Sequence, residues 1–399
     1  MKRALFASIV LAASCRPPSS AVPSPASPPL AIPPATDAPL NNDAAARTIS
    51  PEREIAARLS LKPRFAFGLG NDAAADFDPN KVGAYTIGPK VDIHYMYLSG
   101  FDWPEWNKPE GRYITLHVDA AKARDVVPMF TLYQAAAWGE GNLNAFNDNT
   151  FMTKYWRGVR VMLARLADSN VPVIAHIEPD LWGYFQQKRS DDPANAPVKV
   201  HELVTECADL RDDAGGFGRC IVRLARKLAP KVVIGFSAST FGAYTGGEPD
   251  AERVATYLRN VGGSNADIVI VETLDRDAGC FEAAIDPKCQ RKGKFYWTDV
   301  DFTKHLAWTK TIREVTGRPL LWWQMPLGVP SNTPGGSSGH YRDNRVAYAF
   351  QNAWRFAQAG GIGAVFGEGA RNQTTVKTDG GQFRDALTKY LASGGNRLN

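Results

Sequence analysis

From residue 64 onward, short apolar runs rich in Val, Ile, Phe and Tyr alternate with segments whose apolar residues recur every three or four positions. The runs cover 64–70, 91–98, 126–133, 171–177, 232–237, 268–273, 319–325 and 361–366. Between them, Met152, Tyr155, Val159, Met162 and Leu166 define one helical face, and Phe217, Ile221, Leu224 and Leu228 another. Phe302, Leu306, Ile312 and Val315 define a third. Val346, Phe350 and Trp354 define a fourth, ended by Gly360-Gly361. Eight strand–helix repeats in this length predict a single-domain (β/α)8 TIM barrel. An open doubly wound sheet would place a glycine-rich turn after the first strand. Gly68-Leu69-Gly70-Asn71-Asp72 has no third glycine at dinucleotide spacing. No helical face appears between the first two strands, so that corner is predicted to be irregular.

The chain of 399 residues is 44% hydrophobic, enough for one large core, and its net charge of +5 carries no Lys/Arg block. That argues against a nucleic-acid partner. Met1-Lys2-Arg3 followed by the apolar run 4–13 predicts a signal peptide over 1–14, too short to span a bilayer. Ala12-Ala13-Ser14-Cys15 resembles a bacterial lipoprotein cleavage box, making Cys15 the expected lipidation site and the only membrane attachment. A Pro/Ala/Ser-rich linker over 15–58 reads as a tether, with a short helix near 51–59, and the barrel domain occupies 59–399. The four remaining cysteines pair by proximity as Cys207–Cys220 and Cys280–Cys289, as befits an exported chain: a surface lipoprotein, or otherwise periplasmic or secreted. A monomer without cofactor or metal is expected.

In a barrel of this kind, reactive residues collect where the strands end. The ends carry Asn71-Asp72; Asp92, His94, Tyr95 and Tyr97; Tyr133-Gln134 with Trp138; Glu178-Pro179-Asp180; Ser237, Ser239 and Thr240; Glu272 and Asp275; Trp322-Trp323-Gln324; and Glu368. Carboxylates beside aromatic rings suit the cleavage of sugars. One carboxyl protonates the leaving oxygen, the other attacks or activates water, and the rings stack on apolar sugar faces. Glu178 is the first candidate acid, Glu272 its partner, and Asp180 a third catalytic candidate. Asp72, His94, Tyr95, Trp138, His176, Trp182, Tyr184, Asp275, Trp323, Gln324 and Glu368 are candidate substrate-binding residues, and a polysaccharide is the expected partner.

Ile177-Glu178-Pro179-Asp180 resembles the Glu-Pro-Asp strand end of the inverting cellobiohydrolase and endoglucanase family, a likeness that implies a functional carboxylate at Asp180. Glu178 also falls where a large clan of retaining barrels ends strand four in Asn-Glu. His176-Ile177 precede it here, and Gln324 stands at that clan's strand-seven glutamate. His340-Tyr341-Arg342-Asp343-Asn344-Arg345, with Gly367-Glu368-Gly369 running on to Thr374 and with Thr378-Asp379-Gly380-Gly381-Gln382-Phe383, resembles secreted bacterial barrel proteins that often accompany cellulose-binding modules. Together these features imply a glycoside hydrolase acting on a polysaccharide or oligosaccharide. Two rivals stand beside it. One is a non-catalytic carbohydrate-binding lipoprotein, kept alive by Gln324. The other is a metal-assisted deacetylase using Asp72, Asp92, His94 and His176.

Overall fold

The computed structural model describes residues 49–70, 73–330 and 336–398. Cys15, Asp72 and the expected signal peptide lie outside them. The strands are β1 (Ala66–Gly70), β2 (Ile93–Ser99), β3 (Val127–Tyr133), β4 (Ile174–Ile177), β5 (Val233–Ala238), β6 (Ile268–Val271), β7 (Leu320–Met325) and β8 (Gly361–Phe366). All pair in parallel, each with its sequence neighbour, and β8 returns to β1 to close the barrel. Each of the eight apolar runs became one strand. Closure leaves no unpaired edge, and alternate residues of each strand fill the interior.

The interior cluster holds Ala66, Ile93, Tyr95, Val127, Met129, Ile174, Val233, Ile268, Ile270, Leu321, Trp323, Ile362 and Val365. A second shell of apolar contacts lies between strands and helices, among them Phe130, Ala175, Ile177, Phe236 and Trp322. The helical faces read from the sequence fall in Asn149–Ser169, Ala214–Leu228, Asp299–Thr316 and the pair Arg345–Gln351 and Ala353–Gln358. Just before the last, His340–Tyr341 pairs with Gly336–Ser337 in a small hairpin. Between β1 and β2, among the described residues, only the turn Ala73–Asp76 is helical.

The helix Pro51–Arg58 starts on Ser50, whose side chain accepts from Arg53 N, with proline at the first helical position. Ile55 and Leu59 plug the lower end of the barrel interior. Glu52 pairs with Arg313 at 2.8 Å, and Arg58 with Asp267 at 2.7 Å. This helix therefore packs as part of the barrel, within the stretch expected to be tether.

Both disulfides are present, Cys207–Cys220 with Cα atoms 5.7 Å apart and Cys280–Cys289 at 5.6 Å. Such bonds persist in an oxidising compartment, outside the cytosol. Among the described residues no helix is long and apolar enough to cross a membrane.

Candidate active site

Strand alternation decides which side chains reach the mouth of the barrel. On β2, Ile93 and Tyr95 point inward, and Tyr97 packs against that inner cluster. His94 therefore points outward. On β7 the register with β8 slips between Trp322 and Met325, which pair with Ala364 and Phe366. That bulge carries one extra residue on β7. It lets Trp323 stay in the interior while Gln324, at φ +52°, swings toward the mouth. A non-glycine residue in this left-handed region is held there by its surroundings, a feature common at functional sites.

Glu178 also has a left-handed backbone, at φ +53°. Its carboxyl is 0% exposed and accepts from Gln134 N at 3.0 Å and Ala135 N at 3.1 Å. Burial pushes it up to about 8, against the pull of these amides and the nearby Tyr155 hydroxyl. That hydroxyl is itself buried and outside good hydrogen-bond geometry with any described residue. Gln134 is locked in turn: Trp103 Nε1 donates to its Oε1, and its Nε2 donates to Tyr155 O. A Cβ on Gly158 would stand 2.0 Å from that Oε1, so only glycine fits there. Glu178 thus ties the β3 loop to the end of β4 and does not open onto the cleft.

Asp180 and Glu272 are the carboxyls that do. Asp180 precedes the helix Leu181–Arg189 but makes no capping hydrogen bond. Both side chains are partly exposed, and neither has a hydrogen-bond or ion-pair partner among the described residues. β4 and β6 flank β5, so their ends stand about 10 Å apart, two strand spacings. Burial raises Glu272 to about 8, and the charge of Asp180 pushes the same way against Arg291 and Arg276. Burial raises Asp180 to about 6, with Glu140 adding to the rise and Arg276 opposing it. Burial and mutual repulsion thus both disfavour two charges on this pair, a setting in which one carboxyl can keep a proton while the other ionises.

Around this pair, Tyr133, Glu140, Asp180 and Tyr184 line one recess. Tyr184 Oη donates to Glu140 at 3.3 Å, while Lys188 sits over its ring. Asp275 is bonded to Arg276 and, at 2.7 Å, to Arg291. The floor is aromatic. His176 stands edge-on to Trp323 at 4.7 Å, and Trp323 contacts Tyr95 and Tyr97. His176 bonds Ser237 Oγ at 2.6 Å and Thr131 Oγ1 at 3.2 Å, and burial pushes it down to about 3, so the ring is neutral.

Several expected binding residues lie elsewhere or deeper. Trp182 is 1% exposed, stacks on Phe236 and donates to Ile177 O, outside the strands. His94 bonds Leu69 O and Asp76, which also meets His117. Tyr95 and Trp323 are buried beneath the mouth. Trp138, 44% exposed, packs on Phe151 in the β3 loop, and Glu368 follows β8. Tyr97 and Tyr133 stand in the strand-end inventory without being candidate site residues, and Glu140, Arg276 and Arg291 lie in loops that the sequence pattern does not mark. For Tyr97 the signal was present, since it shares the inner face with Tyr95.

Asp92 pairs with Arg64 at the lower end of the barrel, away from both His94 and His176. Among the described residues no group of three or more His, Cys, Asp or Glu side chains could hold a metal ion. A recess of about 250 Å³ at that same lower end is lined by Lys62, Lys90, Lys122, Asp92 and Asp125. It lies on the face of a barrel that serves stability, opposite the carboxyl pair.

No protein-family model matches the sequence, and no curated protein does. Among solved structures, the fold resembles the catalytic domain of a GH26 endo-β-1,4-mannanase from Bacillus sp. JAMB-750. The TM-score is 0.51 at 11% identity, over 88% of this chain and 92% of that one. The GH26 domain of a Prevotella bryantii endo-β-mannanase/endo-β-glucanase gives 0.48 at 9%, over 87% and 95%. A broad-specificity GH5-4 endoglucanase from Clostridium longisporum gives 0.48 at 12%, over 86% and 99%. At these identities the likeness is one of fold: the chain is a (β/α)8 barrel with carboxyls at its strand ends.

Proposed function

We propose that this chain is a glycoside hydrolase acting on a polysaccharide, with Glu272 as general acid and Asp180 as the ionised partner. One observation carries the reading: two carboxyls at the ends of β4 and β6 are partly exposed, have no hydrogen-bond or ion-pair partner among the described residues, and are both pushed up by burial, Glu272 further by the charge of Asp180. Structural carboxylates are normally spent on caps or ion pairs, as Asp213 and Asp343 are here. A pair left unspent over an aromatic floor suits protonation of a glycosidic oxygen and attack from the opposite side. The rim residues Trp138 and Tyr184 supply apolar faces for sugar rings, and Gln324, Asp275 and Glu368 stand where they can meet hydroxyl groups.

Glu178 acts here as a support, fixing the β3 loop relative to Asp180. The protein works as an exported monomer, with residues 1–14 as signal peptide and lipid on Cys15 holding the barrel on a tether. No cofactor enters the chemistry. The test is reducing-sugar release by residues 41–399 from a panel of β-linked mannans and glucans. Turnover of at least one member supports the reading. Saturable binding without turnover across the panel would instead favour a carbohydrate-binding protein.

A further inference from the structure

The two ends of the barrel differ in charge. The eight segments that feed the strands, 59–65, 88–92, 122–126, 169–173, 229–232, 260–267, 316–319 and 359–360, carry seven Lys or Arg residues against three Asp. At the mouth the balance tips the other way, where Glu140, Asp180, Glu272 and Asp275 gather beside Arg276 and Arg291.

Several of the lower cations converge on the recess of about 250 Å³, which Lys62, Lys90 and Lys122 line. The two carboxylates there are already engaged, Asp92 with Arg64 at 2.8 Å and Asp125 with Lys90. The ammonium groups of Lys62 and Lys122 are exposed and have no hydrogen-bond or ion-pair partner among the described residues. Like charges gathered at one recess without counter-ions of their own attract an anion from outside. Much of the remaining lining is apolar, from Leu59, Leu61, Val171, Pro172 and Leu391. Cations above apolar walls suit the head of an anionic amphiphile, a phosphate diester flanked by its glycerol carbons.

The course of the chain favours a membrane as the source of that phosphate. The helix Pro51–Arg58 packs at the lower end and runs directly into Leu59–Lys62 on the recess lining. Residues upstream of Ile49, Cys15 among them, therefore join the barrel at its basic end and not at its mouth.

We propose that this recess docks the barrel on an anionic phospholipid surface, taking headgroup phosphates at Lys62, Lys90 and Lys122, so that the acidic mouth faces away from the membrane. The contact does not depend on the chemistry at the mouth. Lipid on Cys15, as proposed above, would keep the surface within reach, but the docking itself needs none.

Co-sedimentation with vesicles tests this on the chain from residue 16 on, which lacks the lipid and keeps the whole closed barrel. Vesicles of phosphatidylcholine alone are set beside an equal mixture with phosphatidylglycerol. Binding is expected to the mixture and not to phosphatidylcholine, and it should weaken as salt is raised. A lysine at an anionic surface contributes about fivefold in affinity, so K62Q/K122Q should lose about 25-fold. K154Q/K304Q removes the same charge from exposed positions near the starts of the helices Asn149–Ser169 and Asp299–Thr316, toward the mouth, and should bind like the parent. All four side chains are exposed, so the melting temperatures should agree. Equal losses in the two double variants would overturn the proposal, because net charge alone would then account for binding. Equal binding to both kinds of vesicle, or binding to neither, would overturn it too. Any of these failures leaves the glycosidase reading standing, and a protein that docks but cleaves no polysaccharide would do the reverse.

Discussion

Glu272 and Asp180 rise from strand ends that flank β5, and the charge on Asp180 helps to hold a proton on Glu272. The relationship is built by topology. One intervening strand keeps the two backbones about 10 Å apart. Arg276 and Arg291, both bonded to Asp275, limit how far Glu272 is raised.

Activity should follow a bell-shaped pH profile. Below about 6 Asp180 takes up a proton and is lost as base or nucleophile; above about 8 Glu272 gives up its proton and is lost as acid. The maximum of kcat/KM is expected near pH 7, and E272Q should abolish the alkaline limb specifically. A profile rising monotonically to pH 9, about one unit past the upper limb, would contradict the assignment.

Leaving-group dependence should separate the two roles. E272Q should lose about a hundredfold or more in rate on a polysaccharide yet keep most of its rate on an aryl glycoside whose phenolate needs no proton. D180N should lose both. Equal losses on the two substrates for E272Q would take the acid role away from Glu272.

The same pair should weigh on stability. A carboxyl whose folded pKa is raised contributes stability below its unfolded pKa of 4.5 and loses that contribution as pH rises through about 8. E272Q should therefore be more stable than the parent at alkaline pH, by roughly 2 kcal/mol, and nearly equal to it at acid pH. Urea unfolding at both pH values checks the sign; a variant less stable at alkaline pH would count against a buried, proton-holding Glu272.

Glu178 should behave as structure. E178A leaves the amides of Gln134 and Ala135 without an acceptor in a site that is 0% exposed, and should cost about 2–4 kcal/mol. E178Q keeps one carbonyl oxygen and should retain substantial turnover. Loss of all turnover in a folded E178Q protein would return the chemistry to Glu178.

Two tryptophans should part company. W182A removes a ring buried at 1% exposure against Phe236 and should destabilise by roughly 3–5 kcal/mol. W138A, at a residue 44% exposed on the rim, should leave the melting temperature nearly unchanged while raising KM. The reverse pattern would move the binding surface.

The barrel was legible because each strand is an apolar run with turns on either side, a signal that survives without tertiary information. The helix Leu181–Arg189 was not, since Leu181, Trp182, Gly183 and Phe185 are buried on several sides and leave no clean stripe. Within the site, Glu178 and Asp180 are legible as carboxylates at a strand end, but their different surroundings are not. Strand alternation alone would send Glu178 inward; its left-handed backbone turns it under the β3 loop, and nothing in Ile-Glu-Pro-Asp announces that. The β7 bulge that turns Gln324 to the mouth is likewise a property of pairing between strands distant in sequence. A short helix near 51–59 is legible in the sequence, but its place in the barrel is not, because only the folded barrel shows that Ile55 fills its lower end.

The central claim meets its most direct test in reducing-sugar release at neutral pH by the parent protein, D180N, E272Q and E178Q side by side. The account predicts that the parent cleaves a polysaccharide, that D180N and E272Q each fall by about a hundredfold or more while remaining folded, and that E178Q does not. Parental rates in D180N or E272Q would contradict it.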